Sequence, residues 1–447
     1  MADGVGRRKS AWASKGHGSP GPHYPWVGMR AGRRERRRRL QGLVGAAVAG
    51  AVLVAGALLG SCEPSSRESI SRRAPAAGDA SESRSPEARR RAAWAEDDDT
   101  VLLAWSPGGL PEGTERLLEH TDGVRNATTV LAGLDWMRSS DSRGSPIDAP
   151  RPGYAIPLET AVIEPREYAR FAPPGERAEI LGMDAGEVVL ADTEADLRGA
   201  GQSLRLRLRG RTIRASGVVS DLATNAYEAL APAPAPASWR NPRRFVLMHL
   251  KESARRASIR ATIARTLEPG SPLRIRARGE TPFLRYGDAV MPQLLVKEAF
   301  GEFAARRGSD GRITIEPQWV SRNLRSERVP LLGRLTCHRA LFPQLKAALR
   351  SLEADGLSHV LDASDQAGCW VPRFIGWDPD GWLSHHAWGI ALDVNVSDNP
   401  FGAPPDQDPR LVTRMERWGF TWGGTWLIPD GMHFEWSNWA REGPTDP

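Results

Sequence analysis

The sequence predicts an α+β protein with two folded regions that follow a long N-terminal segment. Three observations support this fold class. At 447 residues the chain is longer than one ordinary domain. From about residue 100 onward, segments with strict apolar–polar alternation, typical of strands, are mixed with segments of helical periodicity. Nine of the sixteen tryptophans lie between Trp370 and Trp439, so the composition of the C-terminal third differs from that of the rest.

The charge balance argues against a nucleic-acid partner. Apolar residues make up 40% of the chain and charged residues 26%, which is typical of a globular protein. The formal net charge is +6, but much of the excess is local, because Arg30–Arg39 alone contains seven arginines and one glutamate. A basic patch confined to one short segment does not indicate a nucleic-acid-binding domain.

The N-terminal segment has the pattern of an export or anchor signal. Residues 1–39 are predicted to be a disordered, basic N-terminus, with translation starting at Met1 or Met29. The next 21 residues, Leu40–Gly60, carry no charge and are long enough to cross a bilayer as a helix. Arginines directly before such a stretch are typical of the cytoplasmic side of a membrane segment.

Residues 40–62 end in LGSC, which resembles the lipobox of bacterial lipoproteins and implies lipidation of Cys62. The alternative is an uncleaved single-pass anchor. Either interpretation predicts an extracytoplasmic protein held at the bacterial cytoplasmic membrane. Residues 63–99 lack apolar periodicity and are rich in Ser, Pro, Ala and charge, so they are predicted to be a flexible linker.

Residues 100–282, the accessory region, are predicted to form a separate α+β domain. Val101–Trp105 has the composition of a buried strand, and a short helical pattern follows it. Leu204, Leu206 and Leu208 alternate with arginines and are followed by a turn at Arg209-Gly210, which predicts a hairpin with one wet face. A β–α–β pattern ends the region. RGRTIRASGVVSD resembles the extracytoplasmic core domains of lipoprotein-export permeases, but it carries no catalytic motif.

Residues 285–443, the C-terminal region, are predicted to contain a small antiparallel sheet and helices. Phe342–Gly356 has apolar spacing typical of a helix, and HVLDAS, His359–Ser364, is predicted to be a short strand. Two further strands are predicted in GIALDVN and MHFEW. Alternation places Asp393 on one face of the first strand, and His433 and Glu435 together on one face of the second.

These strands predict a metal site. His386 precedes the first strand, and with Asp393 and His433 it would supply two imidazoles and one carboxylate, a donor set that suits Zn²⁺. Asp430 lies three residues before His433 and is placed to act as a general base. Glu435 shares a face with His433 and is predicted to orient an imidazole by accepting its second ring proton.

The motifs LSHHAWGIALDVN and WGFTWGGTWLIPDGMHFEW resemble the zinc D-Ala-D-Ala carboxypeptidase family, which includes VanY-like cell-wall peptidases and L-alanyl-D-glutamate endopeptidases. The resemblance implies zinc ligands at His386, Asp393 and His433 and a general base at Asp430. It also implies that Arg373 contacts the substrate near the scissile carbonyl. Ser384 occupies the leading serine of the motif and is expected to shape the loop that carries His386.

Three other histidines have alternative roles. His385 stands where the family often has asparagine, and since neighbouring residues of an extended chain point to opposite sides, either His385 or His386 can face the metal. Spacing favours His386, which leaves His385 at the rim of the cleft. His338 and His359 are predicted to be structural.

The cysteines are consistent with an oxidising compartment. If Cys62 carries lipid, Cys337 and Cys369 remain, and they are predicted to form a disulfide. The alternative is two buried thiols that do not meet.

The resemblance implies a zinc peptidase that hydrolyses peptidoglycan stem peptides, and the N-terminal pattern predicts that it is tethered to the membrane. Whether it removes a terminal D-alanine or cuts an internal L-Ala-D-Glu bond is not decided by the sequence. The alternative is a non-catalytic zinc-containing module that binds the cell wall or signals. Hedgehog signalling domains are similar in fold and keep a zinc ion without established peptidase action. A third hypothesis is that the accessory region couples the peptidase to a transporter or a division complex.

Overall fold

The computed structural model describes residues 101–199, 203–251, 254–288 and 291–440, and all of them belong to one compact unit. The α+β class is confirmed, because both helices and several sheets are present. The predictions for residues 1–99, including lipidation of Cys62 and the flexible linker, lie outside the described residues. The boundary between the accessory region and the C-terminal region stays a prediction.

The prediction that the protein is anchored to the cytoplasmic membrane is wrong for the part of the chain that the structure covers. None of its helices combines the length and the apolar character that crossing a bilayer requires. The uncharged segment 40–62, on which the prediction rested, lies outside the described residues.

One large sheet holds the first ten strands. They are β1 (Val101–Trp105), β2 (Val124–Ser142), β3 (Ser145–Asp148), β4 (Ile156–Ile163), β5 (Glu187–Ala191), β6 (Leu204–Leu208), β7 (Arg211–Val219), β8 (Ala229–Pro232), β9 (Arg243–Leu250) and β10 (Arg274–Ala277). Their order is β10-β1-β9-β2-β4-β8-β5-β7-β6, with β3 paired to β2. An additional pairing of β2 with β6 closes a circuit of six strands within this sheet.

The remaining strands belong to three small sheets. They are β11 (Ala305–Arg307), β12 (Ile313–Ile315), β13 (Leu324–Val329), β14 (Gly333–His338), β15 (Gln366–Gly368), β16 (Ala391–Val394), β17 (Phe420–Trp422) and β18 (His433–Trp436). β11 pairs with β12 and β13 with β14, whereas the last four form an antiparallel sheet in the order β15-β16-β18-β17. This is the small antiparallel sheet that the sequence predicted.

Nine α-helices connect the strands within the described ranges. They are α1 (Thr114–Glu119), α2 (Pro165–Tyr168), α3 (Arg177–Leu181), α4 (Asp192–Leu197), α5 (Arg256–Ala264), α6 (Gln293–Phe300), α7 (Pro317–Asn323), α8 (Phe342–Ala354) and α9 (Pro409–Arg417). Short 3-10 helices complete the C-terminal region, and one of them, His385–Ala387, lies directly before β16.

Alternation along β1 sets the two faces of the large sheet. Leu102 and Ala104 belong to a core beneath α1 and α5, whereas Val101, Leu103 and Trp105 belong to a second core on the opposite face. This second core also receives side chains of the C-terminal region. A third core takes residues from every strand of the closed six-strand circuit.

Two local predictions have opposite outcomes. The hairpin is confirmed, since β6 and β7 pair antiparallel with Leu206 opposite Ile213 and both side chains buried. The strand predicted at His359–Ser364 is wrong, because this segment contains a 3-10 helix, Ser358–Val360, followed by turns. A short apolar run does not distinguish a strand from a helical turn without its tertiary neighbours.

Candidate metal centre

The pairing of β16 with β18 brings Asp393 and His433 together. They are directly opposite each other in the antiparallel register, and residues so paired share a face of the sheet. Both are buried, with 8% and 5% of their surfaces exposed. Two residues along β18, Glu435 lies opposite Ala391 and on the same face of the sheet as His433.

The third donor comes from the 3-10 helix that precedes β16. Ser384 caps this helix, and its Oγ accepts a hydrogen bond from the His386 amide at 3.3 Å. The chain then turns into β16 at Gly389, whose φ is 68°. A Cβ at this position would lie 2.9 Å from the backbone nitrogen of His338, so only glycine fits the turn.

The three predicted ligands converge. His386 Nε2 lies 3.1 Å and His433 Nδ1 lies 2.9 Å from Asp393 Oδ1, and the two nitrogens are 3.3 Å apart. Donors held about 2.0–2.2 Å from a tetrahedral ion stand roughly 3.3–3.6 Å from one another, so the triangle has nearly the required size. The cluster could therefore hold a metal ion.

Hydrogen bonds select the ring nitrogens that face the centre. His386 Nδ1 donates to the carbonyl of Cys369 at 2.9 Å, which leaves Nε2 as the donor atom toward the centre. His433 Nε2 lies 3.3 Å from Glu435 Oε2, so its Nδ1 faces the centre instead. Cys369 is fixed in turn by a disulfide to Cys337. Such outer partners hold metal-binding imidazoles in one tautomer and orientation.

His385 is placed differently from both alternatives that the sequence offered. It is 7% exposed rather than at a rim, and it does not belong to the three-residue cluster. Its Nδ1 lies 2.7 Å from Glu435 Oε2. Glu435 thus connects His385 to His433. The sequence signal was the pair of adjacent histidines, but only the fold shows that they bond to different carboxylates.

The electrostatics of the cluster favour positive charge. Burial would raise the pKa of Asp393, but His386 and His433 outweigh it and hold the pKa well below its usual range. Burial would lower the pKa of His433, but hydrogen bonds to Asp393 and Glu435 outweigh it and raise the pKa to about 10. Two buried carboxylates next to three imidazoles therefore attract a cation, which is a proton or a metal ion.

Asp430 lies beside the cluster with its carboxylate partly unsatisfied. Its Oδ1 is buried and has no hydrogen-bond partner among the described residues. Burial raises the pKa of Asp430, and the charge on Asp393 adds to this, against the opposing effects of His433, His386 and Arg373. A buried acceptor without a donor is rare in a folded protein, and it is typical of a group that awaits substrate, water or ion.

Arg373 supplies positive charge at the same place. It forms no ion pair with a described residue, and its guanidinium donates only a long hydrogen bond, 3.4 Å, to the carbonyl of Phe374. The guanidinium carbon lies 5.3 Å from the ring centre of Trp377. Burial lowers the pKa of Arg373, while Asp393 and Asp430 act in the opposite direction. Arg373 is therefore close enough to Asp393 and Asp430 for the charges to interact.

His338 and His359, which the sequence predicted to be structural, lie apart from the cluster. His338 Nε2 bonds to the carbonyl of Phe300 at 3.1 Å, and burial lowers the pKa of His338 to about 4. His359 is exposed and lies 3.1 Å from an Arg410 nitrogen. Both contacts are structural.

Comparison with known families supports a peptidase. Residues 378–436 match the family model described as D-alanyl-D-alanine carboxypeptidase. The matched segment includes His386, Asp393, Asp430 and His433, whereas Arg373 precedes it. The match supports this peptidase family for the C-terminal region. No curated protein was found to match the chain.

Three solved structures show a weak similarity. A permease-protein domain from Porphyromonas gingivalis has a TM-score of 0.30 and 19% identity, over 44% of this chain and 97% of that one. The periplasmic region of MacB from Actinobacillus actinomycetemcomitans has a TM-score of 0.29 and 9% identity, over 41% and 91%. The extracellular domain of the transporter YknZ from Gram-positive bacteria has a TM-score of 0.25 and 10% identity, over 39% and 99%. At these scores the similarity carries no argument about this chain.

Proposed function

We propose that the protein is a zinc-dependent peptidase that hydrolyses peptidoglycan stem peptides next to a D-residue. The observation that carries the proposal is the convergence of His386, Asp393 and His433 beside an unpaired Asp430 oxygen. The family match over residues 378–436 supports the same reaction class. Both types of bond, the terminal D-Ala-D-Ala and the internal L-Ala-D-Glu, are compatible with it.

The donor set fits zinc. Two imidazole nitrogens and one carboxylate oxygen are the ligands of many catalytic zinc sites, which keep a further position for water or substrate. When bound, zinc supplies Lewis-acid polarisation of a carbonyl and makes water more acidic. The protein residues then determine where the substrate lies and where the protons go.

Asp430 is the general base. Its unpaired Oδ1 can accept the proton of an attacking water, and its raised pKa brings it closer to the working pH than an exposed aspartate would be. The same carboxyl group then donates this proton to the leaving amine. Both transfers require a carboxylate oxygen that is not already hydrogen-bonded. Among the described residues, Asp430 Oδ1 has no hydrogen-bond partner.

Arg373 stabilises the negative charge that develops on the scissile carbonyl oxygen. A guanidinium that is held near the reacting atoms and has no carboxylate partner of its own can direct its donors at that oxygen. Trp377 beside it restricts the guanidinium from one side, because its ring centre lies 5.3 Å away.

The decisive experiment combines zinc analysis with muropeptide digestion. We expect the full chain to bind one zinc ion and to release either D-alanine or fragments cut between L-Ala and D-Glu, identified by mass spectrometry. Asp430→Ala should retain zinc and lose turnover by about 10²–10⁴-fold, the usual contribution of a general base. Glu416→Ala, a change on α9 outside the cluster, is the matched control and should retain turnover.

If Asp430→Ala behaves as the wild type while zinc is bound, the chain is a zinc-containing binding module and the peptidase proposal is wrong. A purified chain that binds no zinc would also exclude the proposal. The masses of the fragments decide between a carboxypeptidase and an endopeptidase, because the two leave different products.

A further inference from the structure

The segment that carries Asp430 is a closed loop. Residues 423–430, here the catalytic loop, begin and end at the same place, because the Asp430 amide donates to the Gly423 carbonyl at 3.0 Å. A Cβ on Gly423 would lie 2.8 Å from the Asp430 carbonyl oxygen, so the closure requires glycine. The Gly402 amide also donates to the Pro429 carbonyl at 2.7 Å, next to Asp430. The tip of the loop, residues 425–427, is held by separate contacts.

The partners of that tip come from the middle of the sequence. Arg274, on β10 of the large sheet, donates through Nη2 to the Thr425 carbonyl at 3.2 Å. The Leu427 amide donates to the Asp288 carboxylate. The Leu427 side chain packs against the second core of the large sheet. The tip of the loop is therefore held by a residue 139 positions earlier and by a strand of the accessory region.

Asp288 connects strand β10 of the large sheet to the tip of the catalytic loop. Its side chain is only 8% exposed, and its Oδ1 lies 3.7 Å from Arg274 and 4.0 Å from Arg276, both on β10. Its other oxygen, Oδ2, accepts the Leu427 amide. A buried carboxylate is stable only when its oxygens are paired, so this contact holds the loop tip and β10 at a fixed separation.

The loop between Arg373 and Ser384 also contacts the large sheet, on the face that carries the second core. Trp382 stacks on Tyr286 with ring centres 5.2 Å apart, and Asp378 pairs with Arg243 of β9 at 2.7 Å. The metal-binding side chains, in contrast, lie on β16, β18 and the short helix before β16. The large sheet thus contacts the loops next to the base and the arginine, whereas the three metal donors are held by the C-terminal region itself.

We propose that Asp288 is a positioning residue for Asp430, so that turnover depends on docking of the catalytic loop against the large sheet while metal binding does not. The inference rests on the proposed function. It assigns the accessory region a role in the reaction, through Arg274 and the face around it, without any residue of that region contacting substrate.

Two substitutions in the full chain separate this role from a general effect on stability. Asp288→Ala removes the acceptor of the Leu427 amide, whereas Asp288→Asn keeps a carbonyl oxygen there. A displacement of about 1 Å at a reacting group can reduce the rate by about 10²-fold. We expect Asp288→Ala to lower kcat by about 10–100-fold with unchanged zinc content, and Asp288→Asn to remain within about threefold of the wild type.

Hydrogen exchange measures the docking independently of activity. The amides of residues 423–430 should exchange faster in Asp288→Ala than in the wild type and Asp288→Asn. Glu280→Ala is the matched control, because Glu280 pairs with Arg256 at 2.8 Å on the surface, where such a pair contributes little. It should change neither kcat nor loop exchange.

The proposal is overturned if Asp288→Ala keeps the wild-type kcat or loop exchange, or if zinc is lost in proportion to turnover. It is also overturned if Asp288→Asn is as slow as Asp288→Ala, since the charge beside the arginines would then matter rather than the Leu427 contact. A wild type without peptidase activity would reject the proposed function. The exchange comparison would still test whether the contact of Asp288 with Leu427 holds the catalytic loop.

Discussion

Reduction of the Cys337–Cys369 disulfide is a perturbation whose effect can be worked out from the structure. The two cysteines are 32 positions apart, and both are almost completely buried, at 0% and 1% exposed. Reduction keeps both sulfur atoms in the core and removes only the covalent constraint. The loss of stability should then arise mainly from the larger conformational freedom of the unfolded chain.

The chain-entropy relation gives the magnitude. A closed loop of 32 residues lowers the entropy of the unfolded chain by about 12 cal/mol/K, which is about 3.7 kcal/mol at room temperature. With a urea m-value of about 3 kcal/mol/M, the midpoint should fall by roughly 1.2 M. Since the Cys369 carbonyl also accepts from His386 Nδ1, we expect the zinc dissociation constant to rise by up to about tenfold.

The assay is urea unfolding followed by tryptophan fluorescence, with and without a phosphine reductant and with zinc removed from both samples. Cys337→Ala/Cys369→Ala is the companion variant, and it should be less stable than the reduced wild type because it also leaves a small cavity. A midpoint shift below about 0.3 M on reduction would refute the reasoning, since the bridge would then not constrain the unfolded chain.

Three further predictions concern the buried charges. Glu435→Ala should lower zinc affinity by about 10–100-fold, measured by competition with a chelator, because His433 loses the acceptor that orients it. Zinc binding near pH 7.5 should release about one proton, because the raised pKa of His433, about 10, keeps it protonated there until the metal displaces the proton. Calorimetry in buffers of different ionisation enthalpy measures this release, which should diminish as the pH rises through 10. Lys297→Ala should cost about 3–5 kcal/mol in urea unfolding, because it leaves Glu228 and Glu302 without their shared cation, now 2.6 Å and 2.9 Å away. The first prediction is contradicted by an unchanged zinc affinity, and the second by zinc binding that releases no proton. The third is contradicted by an unchanged urea midpoint.

Prediction from the sequence worked best where a residue and its partner lie on one regular element. Alternation along β18 places His433 and Glu435 on one face, and the structure has them there. It failed for His385, because a 3-10 helix, not an extended chain, carries it, and the direction of its side chain depends on that helix. It also failed for the segment His359–Ser364, where the short apolar run is a helical turn.

The sequence by itself determined the donor set, since residue type and spacing are local properties. Histidine, aspartate and histidine in ordered motifs already indicate a cluster that could hold a metal ion. Only the tertiary structure decided how the site is supported. The contact of Asp288 with Leu427 spans 139 positions, and that of His385 with Glu435 spans 50. Neither leaves a periodic pattern, because each depends on how distant segments pack, and packing is a property of the whole chain.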